Sequence, residues 1–212
     1  CKGKPVQQMT PAEWLSKNPP KQTFKIVENS SWSCHHGVTR WMDDGGCTPN
    51  SQWKAPLRKA LNRVAKEVDA VYVQTMDRLH VDPYALRDDY IQVLIDQISL
   101  EELINTNLRG CTKDQQRQAG YLIRAQYERQ RMFTSCGWFF DDFNRIEPRN
   151  NVKYAAQAIW LTQQVVPDLS LSAILADLKK VRSNRSNLVA DQVFQSHIRS
   201  AHSFWTDGSS KA

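Results

Sequence analysis

With 212 residues and a mass of 24.4 kDa, the chain is long enough for one substantial core, burying roughly 70% of the surface that it exposes when unfolded. A hydrophobic fraction of 41% with 24% charged residues excludes a disordered or fibrous chain, and no apolar run approaches the ~20 residues that span a bilayer. The formal charge of +6 raises nucleic acid as a partner, but Lys and Arg are interspersed with Asp and Glu, so neither nucleic acid nor a membrane is expected.

The first residue is Cys1 rather than Met, and the opening residues lack the apolar stretch of a signal peptide. The chain reads as a segment of a longer polypeptide, with a processed lipoprotein terminus as the alternative. Residues 1–20, with "NPPK" and little periodicity, read as a linker or edge segment around a short turn of helix, and residues 21–212 as a helical domain. In "TFKIVE", Phe24 and Ile26 alternate with Lys25 and Val27, which predicts one short strand. A dense segment follows at residues 30–47, "SSWSCHHGVTRWMDDGGC". Pro56 then opens a long helix whose Leu57, Leu61, Val64, Val68, Val71 and Leu79 recur at three-to-four spacing.

Asp82 and Pro83 start a second helix carrying Tyr84, Leu86, Tyr90, Ile91, Leu94 and Ile95. Ser99 with Glu102 and Thr112 with Gln115 are capping boxes for a third and a fourth, the fourth running to about Phe133. "EPRNNVKYAAQAIWLTQQVV" supplies a fifth, and "LSAILADLKKV" and "LVADQVFQSHIRSAHSF" two more. The fold class expected is mostly α, an array or bundle with a short extended segment near the N-terminus. The Leu57–Leu79 and Tyr121–Phe133 stripes are its expected centre.

Two segments carry chemistry-bearing residues. Cys34, His36 and Cys47, with Cys136 as a further candidate, are ligand types that suit zinc, although their spacing fits no standard finger. A Cys34–Cys47 disulfide would close a loop of about thirteen residues, worth ~3 kcal/mol in an oxidising compartment. Five Cys, an odd number, argue instead for a reducing cytoplasm.

Trp32, His36, Arg40 and Trp41 mix aromatic faces with polar groups, as a sugar-binding surface requires. "TSCGWFFDDF" at residues 134–143 is a second such mixture, with Trp138, Phe139 and Asp141 as candidate substrate contacts and Gly137 permitting close backbone approach. The alternative for both is core aromatics flanked by solvated carboxylates. Adjacent Asp141 and Asp142 would diverge by about 100° on a helix, so they do not read as a catalytic pair. The two clusters are expected to meet, with Trp32 or Trp41 near Trp138 and His36, Arg40 and Asp141 around the rim.

In this order, "SSWSCHHGVTRW…GGC", "WKAPLRKAL", "DPYALRDDYI", "TSCGWFFDDF" and "KYAAQAI" resemble domain of unknown function 3536. That helical domain lies C-terminal to the catalytic barrel of some glycoside hydrolase family 57-like proteins. The resemblance starts near Pro19 and extends at least to residues 181–184. The chain departs from the family pattern at Gly45, where a thiol is usual, and at His35, where a residue such as Ala precedes the matching His36. The resemblance implies an accessory domain, with an upstream barrel of the same polypeptide and an α-glucan-type oligosaccharide or polysaccharide as partners. It leaves the Glu nucleophile and the Asp acid/base in the barrel. No catalytic residue and no cofactor are therefore expected in this chain. "SCGWFF" is similar to an aromatic motif that lines the substrate cleft in related proteins.

Overall fold

The computed structural model describes residues 6–207, with side chains as far as Ala201; Cys1 lies outside them. The chain forms α1 (Pro11–Lys17), α2 (Lys54–Arg78), α3 (Pro83–Asp89), α4 (Ile91–Leu94), α5 (Leu100–Asn107), α6 (Lys113–Arg131), α7 (Ile146–Gln163), α8 (Ser172–Leu178) and α9 (Ala190–Asp207). Two 3₁₀ turns, Thr39–Trp41 and Ser135–Trp138, complete it. The mostly α class expected from the periodicity is the class observed. Among the described residues, no helix is long and apolar enough to cross a membrane.

Local chemistry sets several helix starts. The Thr112 hydroxyl accepts from the Gln115 N–H while Gln115 accepts from the Thr112 N–H, a closed capping box. Asp82 caps α3 by accepting from the N–H groups of Tyr84 and Ala85, with Pro83 in the first turn. The helix expected to run from there through Ile95 breaks at Tyr90. Ile91, Leu94 and Ile95 are exposed, so no packing supports a continuous helix there.

Two apolar clusters form the interior. One gathers Leu57, Leu61 and Val64 of α2 with Val152 and Ile159 of α7, Ile174 of α8 and Phe194 of α9. The other gathers Tyr72 and Met76 of α2 with Leu86, Leu103 and Ile104, and Leu122 and Ile123 of α6. Helices α2 and α6 run through both, since Ala125 of α6 also belongs to the first cluster, as their stripes predicted. The centre of the array, however, is α7, which packs against α6, α9 and α2. Its Ala155, Ala156 and Ala158 are buried along with Val152 and Ile159. A helix buried on several sides has no one-sided stripe, which is why periodicity undervalued it.

The strand expected at residues 23–28 does not form. The described residues contain one isolated bridge, Arg182 with Val189, and no strand. Phe24, Ile26 and Val27 are all exposed, so both sides of the alternation face outward with no edge to pair with. Helix α1, with its own Thr10–Glu13 capping box, buries none of its residues.

Two acidic side chains tie helix to helix and loop to loop. Asp177 accepts from Arg63 Nε at 2.7 Å, with Lys59 and Lys180 at 3.8 and 3.6 Å. The Arg63 hydrogen bond, aided by the three positive charges and opposed by burial, holds its carboxyl below the usual range. Asp142 is fully buried and accepts from the Asn144 N–H (2.8 Å), Ser183 Oγ (2.7 Å) and the Asn184 N–H (2.7 Å). Burial raises its pKa, but those three donors and the Arg185 charge outweigh burial and lower it. Both carboxylates thus stabilise the fold fully at neutral pH, and that contribution drains away as pH falls below about 4 toward their native values. Asp142→Asn should cost about 1–3 kcal/mol at pH 7, because an amide N–H₂ must face a donor. Denaturant titrations at pH 7 and pH 3 check this: the gap between variant and wild type should narrow in acid.

Candidate functional site

Residues 30–53 contain almost no regular structure, and tight turns shape them. Gly37 has φ +70°, and a Cβ there would lie 2.5 Å from the Asn29 carbonyl oxygen, so the chain can double back only with glycine. Thr39 Oγ1 donates to the His36 carbonyl (2.8 Å), opening the 3₁₀ turn that carries Arg40 and Trp41. Gly46, at φ +70°, returns the chain toward Cys47.

These turns bring three soft ligands together. Cys34 Sγ lies 3.5 Å from Cys47 Sγ and 4.0 Å from His36 Nδ1, and His36 Nδ1 lies 3.1 Å from Cys47 Sγ. Cys34 is buried, Cys47 half-buried and His36 exposed. Burial pushes the Cys34 thiol up, but hydrogen bonds from Cys47 and from the backbone at His36 and Arg40 outweigh it and lower its pKa. Cys47 is raised, first by its bond to Cys34. Cys136, the fourth candidate, is exposed and lies outside this group.

Above the cluster, Arg40 Nη2 donates to the Ser33 carbonyl (3.0 Å), and its guanidinium covers the Phe139 ring at 5.1 Å. Trp41 meets the same ring edge-on, 5.8 Å between centroids. The two clusters distant in sequence therefore touch, and Phe139 joins them. All three side chains are half-buried, leaving part of each ring or guanidinium open to a ligand.

Trp138, expected as a substrate contact beside Trp32 or Trp41, is fully buried instead. Its ring stacks on Trp53 at 6.4 Å and 17°, and Trp53 also contacts Phe143 at 6.2 Å. Its neighbour Gly137 is pressed against Asn151: a Cβ there would sit 2.3 Å from Asn151 Nδ2. Asn151 in turn donates to the Thr134 carbonyl and accepts from Thr134 Oγ1. Trp32 is 93% exposed. Asp141 pairs with Arg185 at the surface, and Asp142 is the buried carboxylate described above. His36 belongs with the two thiols rather than with Arg40.

Sequence reasoning missed Arg58, Trp53 and Lys54. Arg58 donates to the Trp41 carbonyl (3.4 Å) and covers Phe133 and Trp138 at 4.7 and 5.9 Å. Lys54 is buried, its ammonium 5.8 Å from the Trp53 ring; burial first, then the Arg40 charge, lowers its pKa. Trp53–Lys54 stands where a helix begins, and the signal was the motif "WKAPLRKAL", which holds all three residues but was given no role in the site. A groove of roughly 460 Å³ lies away from this corner, between α5 and α6, with Ile104 and Tyr121 among its walls and Lys113, Arg117 and Arg124 around them. The corner holds the chemistry-bearing side chains, so we place the candidate site there.

Truncating the hidden ring should cost far more than truncating the open one. Trp138→Ala should lower unfolding free energy by about 3–5 kcal/mol, and Trp41→Ala by about 0.5–1.5 kcal/mol. Denaturant melts of the two variants check this ordering.

Residues 50–206 match the family model described as Domain of unknown function (DUF3536). No curated protein and no solved structure matches the chain. The matched span holds α2 to α9 and the Trp138 turn, while the Cys34–Cys47 loop precedes it. Since the match covers well over half of the 212 residues, this protein belongs to the DUF3536 family.

Proposed function

We propose that this chain is the accessory helical domain of a glycoside hydrolase family 57-like enzyme, packing on a catalytic barrel of the same polypeptide and lining its α-glucan-type cleft. The supporting observation is the ledge of Arg40, Trp41 and Phe139. Two half-open aromatic rings and a guanidinium offer C–H-stacking faces beside donors, the combination a pyranose requires.

A second observation concerns the N-terminal arm. Phe24, Ile26, Val27 and Trp32 are exposed just before the ledge, an apolar run suited to an interdomain contact. The corner's carboxylates do not suit acid/base catalysis. Asp141 is held by Arg185, and Asp142 is buried among three donors. Catalysis is therefore assigned to the barrel, and binding and shaping of the cleft to this domain.

The polypeptide carrying both barrel and helical domain provides the test. Trp41→Ala and Phe139→Ala should each weaken maltooligosaccharide binding several-fold, given about 0.5–1.5 kcal/mol per aromatic contact, while helical content stays unchanged. The helical chain alone should turn over no α-glucan. Turnover by that chain would overturn the reading. Unchanged affinity in both variants would select the rival, a metal-stabilised or protein-interaction module without sugar contact.

A further inference from the structure

Beyond the sugar reading, and independent of it, we propose that Cys34, His36 and Cys47 form a zinc site. Two thiolates and one imidazole are a borderline-soft donor set that selects Zn²⁺ over Mg²⁺ or Ca²⁺. Zn–S bonds of about 2.3 Å and Zn–N bonds of about 2.05 Å in a tetrahedron place the sulfurs about 3.8 Å apart and each sulfur about 3.6 Å from the nitrogen. The separations here are 3.5 Å between the sulfurs, and 3.1 and 4.0 Å from sulfur to Nδ1. The two sulfur–nitrogen separations bracket their tetrahedral value, the sulfur–sulfur separation falls slightly short of its own, and the three ligand atoms lie within 4.8 Å of one another.

The surroundings fit the same assignment. The His35 ring lies 3.8 Å from the His36 ring, and the backbone of Gly45 closes the other side: a Cβ at Gly45 would lie 3.7 Å from His36 Nδ1. Three protein ligands leave the fourth position to a water molecule on the exposed His36 side. On binding, both thiol protons pass to solvent, and two thiolates neutralise the divalent charge.

The site also has a structural task. Apart from the 3₁₀ turn Thr39–Trp41, residues 30–53 lack helix and strand, and of the three ligands only Cys34 is buried. A metal cross-link between residues 34, 36 and 47 holds the turn that presents Arg40 and Trp41 to Phe139. The helical clusters do not include these ligands, so losing the metal should loosen the corner and leave α2 to α9 intact.

Cobalt titration of the reduced, metal-free protein tests this directly. One equivalent of Co²⁺ should give a thiolate-to-cobalt charge-transfer band with tetrahedral ligand-field intensity, and zinc should displace it. Cys34→Ser and Cys47→Ser should lose the band, and His36→Asn should weaken binding by more than about tenfold. Cys136→Ser and Cys111→Ser should match wild type. Absence of the band in reduced wild-type protein would overturn the proposal without reliance on any variant. So would a band that survives in both the Cys34 and Cys47 variants, or one lost on Cys136→Ser. Far-ultraviolet circular dichroism should show unchanged helix in every variant. Failure of the sugar-binding test leaves the cobalt result unaffected, so the two readings fail separately.

Discussion

Trp138 lies nearly flat on Trp53, and this stack fastens the turn after α6 to the start of α2. The rest of the corner depends on it. The Ser135–Trp138 turn can lie low enough only because residue 137 is glycine against Asn151. Phe139 then emerges at the surface in position to receive Arg40 and Trp41. Arg58 links the layers, since its guanidinium covers the buried Trp138 and donates to the Trp41 backbone. Ring packing of this kind is stiff, because large planar side chains have few alternative rotamers once enclosed.

Much of the positive charge is engaged locally. Arg129 binds Asp69 through two nitrogens and lies over Phe133. Arg131 pairs with Glu128 and covers Tyr154 at 4.0 Å. Arg63 serves Asp177, and Arg145 covers Phe140. Guanidinium groups suit both tasks, with a planar face for rings and a fork for carboxylates. A surplus of +6 thus accompanies cation–π and ion-pair packing as well as solvated surface.

Cys34, His36 and Cys47 converge in space although their spacing does not signal it. Their pattern matches no standard finger, since two glycines in the left-handed region and a 3₁₀ turn, rather than a regular element, bring the ligands together. Cys136 had an equal claim as a ligand type, but the turn after α6 leaves it exposed and apart. Ligand chemistry is a property of residue types, whereas ligand convergence depends on the path of the backbone between them.

The sequence by itself determined the helical class and several helix starts. The Thr112–Gln115 box and the Asp82–Pro83 start act over three or four residues, so local hydrogen bonding decides them. It also identified the stripes of α2 and α6, since an amphipathic face repeats along the helix that bears it. It marked residues 30–47 and 134–143 as unusual by composition alone. Only the tertiary structure decided that α7 is central, that residues 23–28 find no strand partner, and that Trp138 faces inward while Phe139 faces outward. Neighbouring aromatic residues have nearly the same intrinsic preference for burial. Which of them goes inside depends on where Trp53 and Asn151 stand, and those positions are reached through contacts distant in sequence.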